Sequence, residues 1–233
     1  MTSVWAVVPA AGSGRRMAAE VPKQYLTVAG ASLLEHTLRA LLASPQIRGV
    51  VVVMDPSDRR ADQIASLSDP RVFTAAGGDE RADSVLAGLQ YLQSMARDDD
   101  WVLVHDAARP CLPIAALTGF INQVLADQRG AILAQPVTDT IKRCSESGLV
   151  LETLDRNQLW RAQTPQMFGV QALREALKAA IQSGASITDE AAAMSLAGYP
   201  VQIIAGPACN VKVTVPEDLK LAELYLKSLH AGH

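Results

Sequence analysis

The stretch VWAVVPAAGSGRRMAAEVPKQY, residues 4–25, decides the fold. Val4–Val8 is a dense apolar run ending at Pro9, with no polar alternation, and it predicts a short strand buried on both faces. Behind it stand Gly12 and Gly14, which permit close backbone approach, and Arg15, Arg16 and Lys23, which can neutralise phosphate oxygens. A strand that feeds such a turn points to an anion held at its carboxyl end. The loop lacks the third glycine of a dinucleotide fingerprint and the GK[ST] ending of a P-loop. Taken alone, the same residues also describe a plain turn with solvated arginines.

Outward from this loop the pattern repeats. SLLEHTLRALLAS from Ser32 places Leu34, Leu38 and Leu41 at helical spacing. IRGVVVVM from Ile47 reads as strand, SDRRADQIASL as helix, RVFTAA as strand and RADSVLAGLQYLQ as helix. Residues 101–104 form the next strand, followed by the helix IAALTGFINQVLA and the strand AILAQPV. Continuous apolar strands alternating with helices predict an α/β fold with a mostly parallel sheet flanked by helices.

Between Val137 and Leu159 the pattern changes, with β-branched residues on both sides of Ser147-Gly148, which suggests a projecting β-hairpin arm. The arm has too few large apolar residues for its own core, so it is expected to pack on another subunit; a flap folded on its own domain is the alternative. VQALREALKAAIQSG then reads as helix, with an exit at Gly184, and Thr188 as the N-cap of the helix in ITDEAAAMSLAG. Strands are expected at VQIIAG and NVKVT, and Thr214 and Glu217 have capping-box spacing ahead of a terminal helix. The parse is one domain over residues 1–233, interrupted by the arm at about 137–158.

Aromatic residues make up 4% of the chain against 49% hydrophobic, so the core is expected to be built mostly from Ala, Val, Leu and Ile. A formal net charge of -3 argues against a broad nucleic-acid-binding face and requires any anion to be held locally. Cys111, Cys144 and Cys209 are widely spaced and form no metal or disulfide pattern, which favours a reducing cytoplasm. No signal helix is expected at the start, and no segment has the ~20 apolar residues of a membrane span.

Ligands of open parallel sheets collect beyond the carboxyl ends of the strands. GGDERADSV supplies Gly78, Asp79, Arg81 and Ser84 there, either to hold a base or sugar or simply to cap a helix. HDAARP supplies Asp106, for a ribose hydroxyl or a divalent ion, and Arg109, for a substrate phosphate. His105 invites a catalytic-base reading, but a structural role is the expected one, since no nucleophile elbow accompanies it. With no clustered metal ligands in the sequence, a metal would be magnesium held mainly by phosphate oxygens.

The segments PAAGSGRRM, PKQY, GGDERADSVLAGL, VLVHDAARP, DRNQLWRAQTPQ, GASITDEA and NVKVT together resemble the 2-C-methyl-D-erythritol 4-phosphate cytidylyltransferase family, in order and over nearly the whole chain. The resemblance implies a Rossmann-like fold and transfer of a cytidylyl group from CTP to the alcohol phosphate, releasing pyrophosphate, with magnesium. It implies a homodimer joined through the arm. It places Arg16, Lys23 and Lys212 at the reacting phosphates. Ala10, Ala11, Gly12, Gly14, Arg15, Gly78, Asp79, Ser84 and Asp106 would hold the nucleotide, and Arg109, Thr140, Arg156, Thr164 and Thr188 the acceptor side. Ending soon after its last helix, the chain resembles the single-function transferase, without the cyclase domain fused to some relatives. A related polyol phosphate such as ribitol 5-phosphate, another nucleoside triphosphate, or nucleotide binding without turnover remain the competing readings.

Overall fold

The computed structural model describes residues 2–12 and 21–231. The expectations for Gly14, Arg15 and Arg16 lie outside the described residues. In chain order the main elements are β1 (Val4–Pro9), β2 (Thr27–Val28), β3 (Ala31–Ser32), α1 (Leu33–Leu42), β4 (Ile47–Met54) and β5 (Val72–Ala76). Then come α2 (Arg81–Leu92), β6 (Trp101–Val104), α3 (Ile114–Asp127), β7 (Ala131–Pro136), β8 (Lys142–Cys144) and β9 (Val150–Thr153). The chain closes with β10 (Trp160–Gly169), α4 (Val170–Gln182), α5 (Glu190–Leu196), β11 (Gln202–Ala205) and α6 (Pro216–Ala231).

Seven strands form one sheet in the order β11-β7-β10-β6-β1-β4-β5. Only β10 runs against its neighbours; the other pairings are parallel. The fold is therefore α/β and Rossmann-like, and the loops after β1, β5 and β6 leave the same edge. Helices cover both faces. Leu34, Leu38, Leu117 and Phe120 pack on Ala6, Val8 and Val52 on one side, while Val85, Leu89, Leu173 and Leu177 pack on Val7, Val51 and Val104 on the other. Aliphatic strands buried on both faces are what the unbroken runs require. Gly88 lets α2 lie close to the sheet, since a Cβ there would come within 2.7 Å of Val7 and 2.9 Å of Val53.

The arm is a separate pair, β8 with β9 antiparallel, and Gly148 turns between them at φ +81°. Leu149, Val150 and Leu151 are each more than 60% exposed on it, with values of 69%, 61% and 62%.

Four expectations are corrected. SDRRADQIASL is not one helix but two 3-10 turns, Arg59–Gln63 and Ala65–Ser68, because Ile64 is its sole fully buried apolar side chain and cannot bury a helical face. NVKVT forms no strand: Val213 N bonds Ala108 O at 2.9 Å, which ties the segment to the loop after β6 instead of to an edge. The N-cap of α5 is Asp189, not Thr188, its carboxylate accepting from Ala192 N. At α6 the acid that reaches back is Asp218, accepting from Thr214 N and Val215 N, not Glu217. β10 had no periodic signal, since its centre is the polar Gln163-Thr164-Pro165-Gln166. The register to β7 shifts between Ala162 and Gln166, so these residues bulge from the ladder.

Candidate active site

A cleft of about 620 Å³ opens where the β1, β5 and β6 loops converge. From β1 come Ala10, Ala11 and Gly12, from the following loop Lys23 and Gln24, from β5 onward Gly78, Asp79, Glu80, Arg81 and Ser84, from β6 onward Asp106, and from the far segment Lys212 and Thr214. Short bonds hold these loops. Ala10 N donates to Val53 O at 2.7 Å and Gly77 N to Met54 O at 2.8 Å, carrying strand pairing beyond the sheet edge. Gln24 Nε2 donates to Ala10 O at 2.8 Å, which fastens the turn bearing Lys23 to the end of β1. Gly77 has to be glycine here, because a Cβ would collide with the Ala11 methyl. The start of α2 serves two purposes: Glu80 and Asp83 form a capping box, while Gly78 N donates to Ser84 Oγ at 3.3 Å beside the cleft.

Asp106 is the buried carboxylate of the site. Its Oδ1 accepts from Arg81 Nε at 3.0 Å and its Oδ2 faces Lys212 Nζ at 2.7 Å. Burial would raise this carboxyl, but Arg81 and Lys212 hold it far below the usual carboxylate range. Arg81 spends its other two nitrogens on Glu190, at 2.6 Å and 3.2 Å, a bidentate pair. Burial pushes the Glu190 carboxyl up against the pull of Arg81, and Glu190 with Asp106 keeps Arg81 charged despite its own burial.

His105 is wholly enclosed. Its Nε2–H donates to Arg109 O at 3.2 Å, and Nδ1 accepts from Thr164 Oγ1 at 3.0 Å, whose oxygen in turn accepts from Asp106 N. Burial lowers its pKa to about 4. With both nitrogens used and the ring neutral, His105 is a strut beneath Asp106, as its structural reading required.

The structure thus gathers Ala10, Ala11, Gly12, Lys23, Gly78, Asp79, Ser84, Asp106 and Lys212 around one cleft. Arg109 and Thr164 lie beneath it. Arg109 is buried, donating from Nη1 to Asn210 O at 2.7 Å and from Nη2 to Ala162 O at 3.4 Å. Its two terminal nitrogens are turned onto backbone carbonyls, and its Nε lies 3.9 Å from Asp106 Oδ2. Thr140, Arg156 and Thr188 are exposed and outside the cleft's lining, Arg156 Nη1 donating to Thr138 O at 2.6 Å. Gln24, Glu80, Thr214 and Glu190 are site residues that the sequence did not point to, and Arg81 was placed at the loop without its carboxylate partners. Arg81 has a local signal, two positions after Asp79 in a glycine-opened helix start. Glu190 has none, since only tertiary folding brings α5 to α2.

Parallel strands that deliver glycine-opened loops and several fixed cations to one cleft define an α/β protein built to hold the phosphates of a nucleotide. Residues 4–228 match the profile of the 2-C-methyl-D-erythritol 4-phosphate cytidylyltransferase family. The enzyme of that name from Aeromonas hydrophila is 51% identical over 226 residues, covering 97% of this chain and 90% of its own. That from Escherichia coli is 48% identical over 229 residues, covering 97% and 95%. A crystal structure of a 4-diphosphocytidyl-2C-methyl-D-erythritol synthase superposes with a TM-score of 0.83 at 37% identity, covering 97% of this chain and 99% of that one. The Thermus thermophilus cytidylyltransferase does so at 0.79 and 30% identity, covering 97% and 100%. The chain belongs to the 2-C-methyl-D-erythritol 4-phosphate cytidylyltransferase family.

Proposed function

We propose that the protein joins CTP to 2-C-methyl-D-erythritol 4-phosphate by in-line attack of an acceptor phosphate oxygen on the α-phosphorus, with pyrophosphate as the leaving group. The observation that carries this reading is the meeting of Lys23 and Lys212 with the Gly78-Asp79 turn in one cleft of a chain of this family. A phosphate monoester has a second pKa near ~6, so the nucleophile is largely anionic at neutral pH and needs no strong general base. The neutral, fully bonded His105 agrees with that.

The chemical difficulty is bringing two anions together and stabilising charge on the reacting phosphoryl group. We assign that work to Lys23 and Lys212, with Arg16 as a further cation. Backbone around Ala10–Gly12 and Gly78-Asp79, with Ser84 and Asp106, would hold the nucleoside. Thr140, Arg156 and Thr188 would hold the acceptor, while Arg109 and Thr164 keep the Asp106 loop in place from below. Among the described residues no group of three or more His, Cys, Asp or Glu is placed to hold a metal ion. This donor set fits magnesium bound through phosphate oxygens and water: Asp106 is the buried carboxylate in the cleft, and a carboxylate has lone pairs beyond those facing Arg81 and Lys212. When bound, magnesium neutralises charge on the phosphates.

The exposed apolar residues Leu149, Val150 and Leu151 support a homodimer formed through the arm. No helix among the described residues is long and apolar enough to cross a membrane, and we place the activity in the cytoplasm. Pyrophosphate release with CTP, UTP, GTP and ATP, each against this acceptor and ribitol 5-phosphate, with and without magnesium, tests the reading. The expected result is turnover for CTP with the erythritol phosphate, identified from both products. Equal turnover with UTP, or preference for ribitol phosphate, overturns it.

A further inference from the structure

The Arg81–Glu190 pair joins parts of the site that sequence keeps far apart. Arg81 opens α2, directly after the Gly78-Asp79 turn, and Glu190 opens α5, directly after Thr188 and Asp189. Each end is firmly seated. Asp189 caps α5 by accepting from Ala192 N at 2.9 Å, and Gln166 of β10 bonds both Asp189 Oδ2 at 3.0 Å and Ala191 N at 2.9 Å. Glu190 is 1% exposed, and its two oxygens both accept from Arg81. Arg81 turns Nε onto Asp106 Oδ1 and shares Nη2 between that oxygen, at 3.0 Å, and Glu190, while the other Asp106 oxygen meets Lys212.

From this connectivity we infer that Arg81 and Glu190 are positioning residues that lock the nucleotide-side turn to the acceptor-side turn, so that Thr188 and the Asp106–Lys212 pair are held at a set separation. The inference rests on the proposed reaction, in which Thr188 meets the acceptor. Neither residue needs to touch the reacting atoms. A bidentate pair suits this role because two parallel bonds fix orientation as well as distance, which a single contact cannot do. Part of the effect passes through Asp106: if Glu190 no longer directs the guanidinium, Nε loses its aim at Oδ1. A displacement of about 1 Å between reacting groups is enough to slow chemistry by roughly a hundredfold.

The test compares wild type with Glu190→Gln, Arg81→Lys and the double variant, using pyrophosphate release at varied CTP and varied acceptor, thermal melting, and calorimetric titration with CTP. The expected result is a fall in kcat of about tenfold or more for each single variant, with acceptor KM raised by a larger factor than the CTP dissociation constant. The double variant should be little worse than the poorer single one, because the two act as a unit. Loss of active protein alone would lower kcat and leave both KM values unchanged, which would overturn the inference. So would kinetics at wild-type level, or losses that multiply in the double variant. Backbone amide spectra supply a readout that does not depend on turnover. Glu190→Gln should shift Gly78 and Asp79, and Arg81→Lys should shift Thr188; silence across the pair refutes the coupling. Wild type that binds CTP but releases no pyrophosphate would sink the proposed reaction, and those spectra would still decide the lock.

Discussion

Replacing Asp106 by Asn removes the one negative charge on which Arg81 Nε, at 3.0 Å, and Lys212 Nζ, at 2.7 Å, converge. Breaking a buried ion pair by removing one partner costs ~3–5 kcal/mol. Lys212 is 39% exposed and can turn to water, so its share is small. Arg81 cannot turn away, because Glu190 holds its other two nitrogens. An Asn amide also sets a donor where a second acceptor stood. A net loss of about 3 kcal/mol is expected, and for a chain of this size, at about 2–4 °C per kcal/mol, Tm should fall by roughly 6–12 °C in ligand-free calorimetry. The pH dependence follows from the same contacts. Asp106 has a folded pKa depressed below the ordinary ~3.9, so its contribution is complete above that value and is lost as pH falls toward the folded one. The gap between wild type and Asp106→Asn should therefore be level from about pH 5 to 8 and close in acid. A Tm within about 2 °C of wild type, below the smallest shift this estimate allows, or a gap that widens between pH 5 and 8, would refute the reasoning.

Lys23→Ala should lower kcat by roughly 10²–10³, as for loss of one transition-state donor; a higher CTP KM with normal turnover would assign it to ground-state binding. Arg156→Ala should raise the acceptor KM by about 10-fold or more, with Arg156→Lys restoring charge but not the planar fork, and an equal rise in both KM values would contradict that role. Asp100→Ala should destabilise by about 3 kcal/mol without changing kcat, because the buried Asp100 accepts from Ser3 N at 2.7 Å, Trp5 Nε1 at 3.1 Å and Arg97 N at 3.1 Å. Denaturant titration measures the loss, and a change in acceptor KM would show that the β6 end is tied to chemistry as well as to the fold.

Much of the architecture is legible from local pattern. Val4–Val8, Val50–Val53 and Val102–Val104 are apolar without interruption because neighbouring strands and helices enclose them on both faces of the sheet. The arm announces itself through Ser147-Gly148, since the turn needs a residue at positive φ. The strand β10 is hidden for the opposite reason. Gln163, Thr164 and Gln166 are polar side chains buried by bonds to Pro207 O, His105 and Asp189, partners that a linear pattern cannot supply. Arg59–Gln63 misleads in the same way: it has the spacing of a helix but too little apolar surface to be held as one.

By itself the sequence determined most of the strands and helices, β10 excepted, and the loops that carry glycine and charge, because these follow from the burial and turn chemistry of near neighbours. Only the tertiary structure decided how those charges are used. It spent Arg109 on backbone carbonyls and His105 on Thr164, and it set Glu190, 109 positions along the chain from Arg81, against its guanidinium. Electrostatic partnership depends on distances of a few ångströms in space, and separation along the chain carries no information about them.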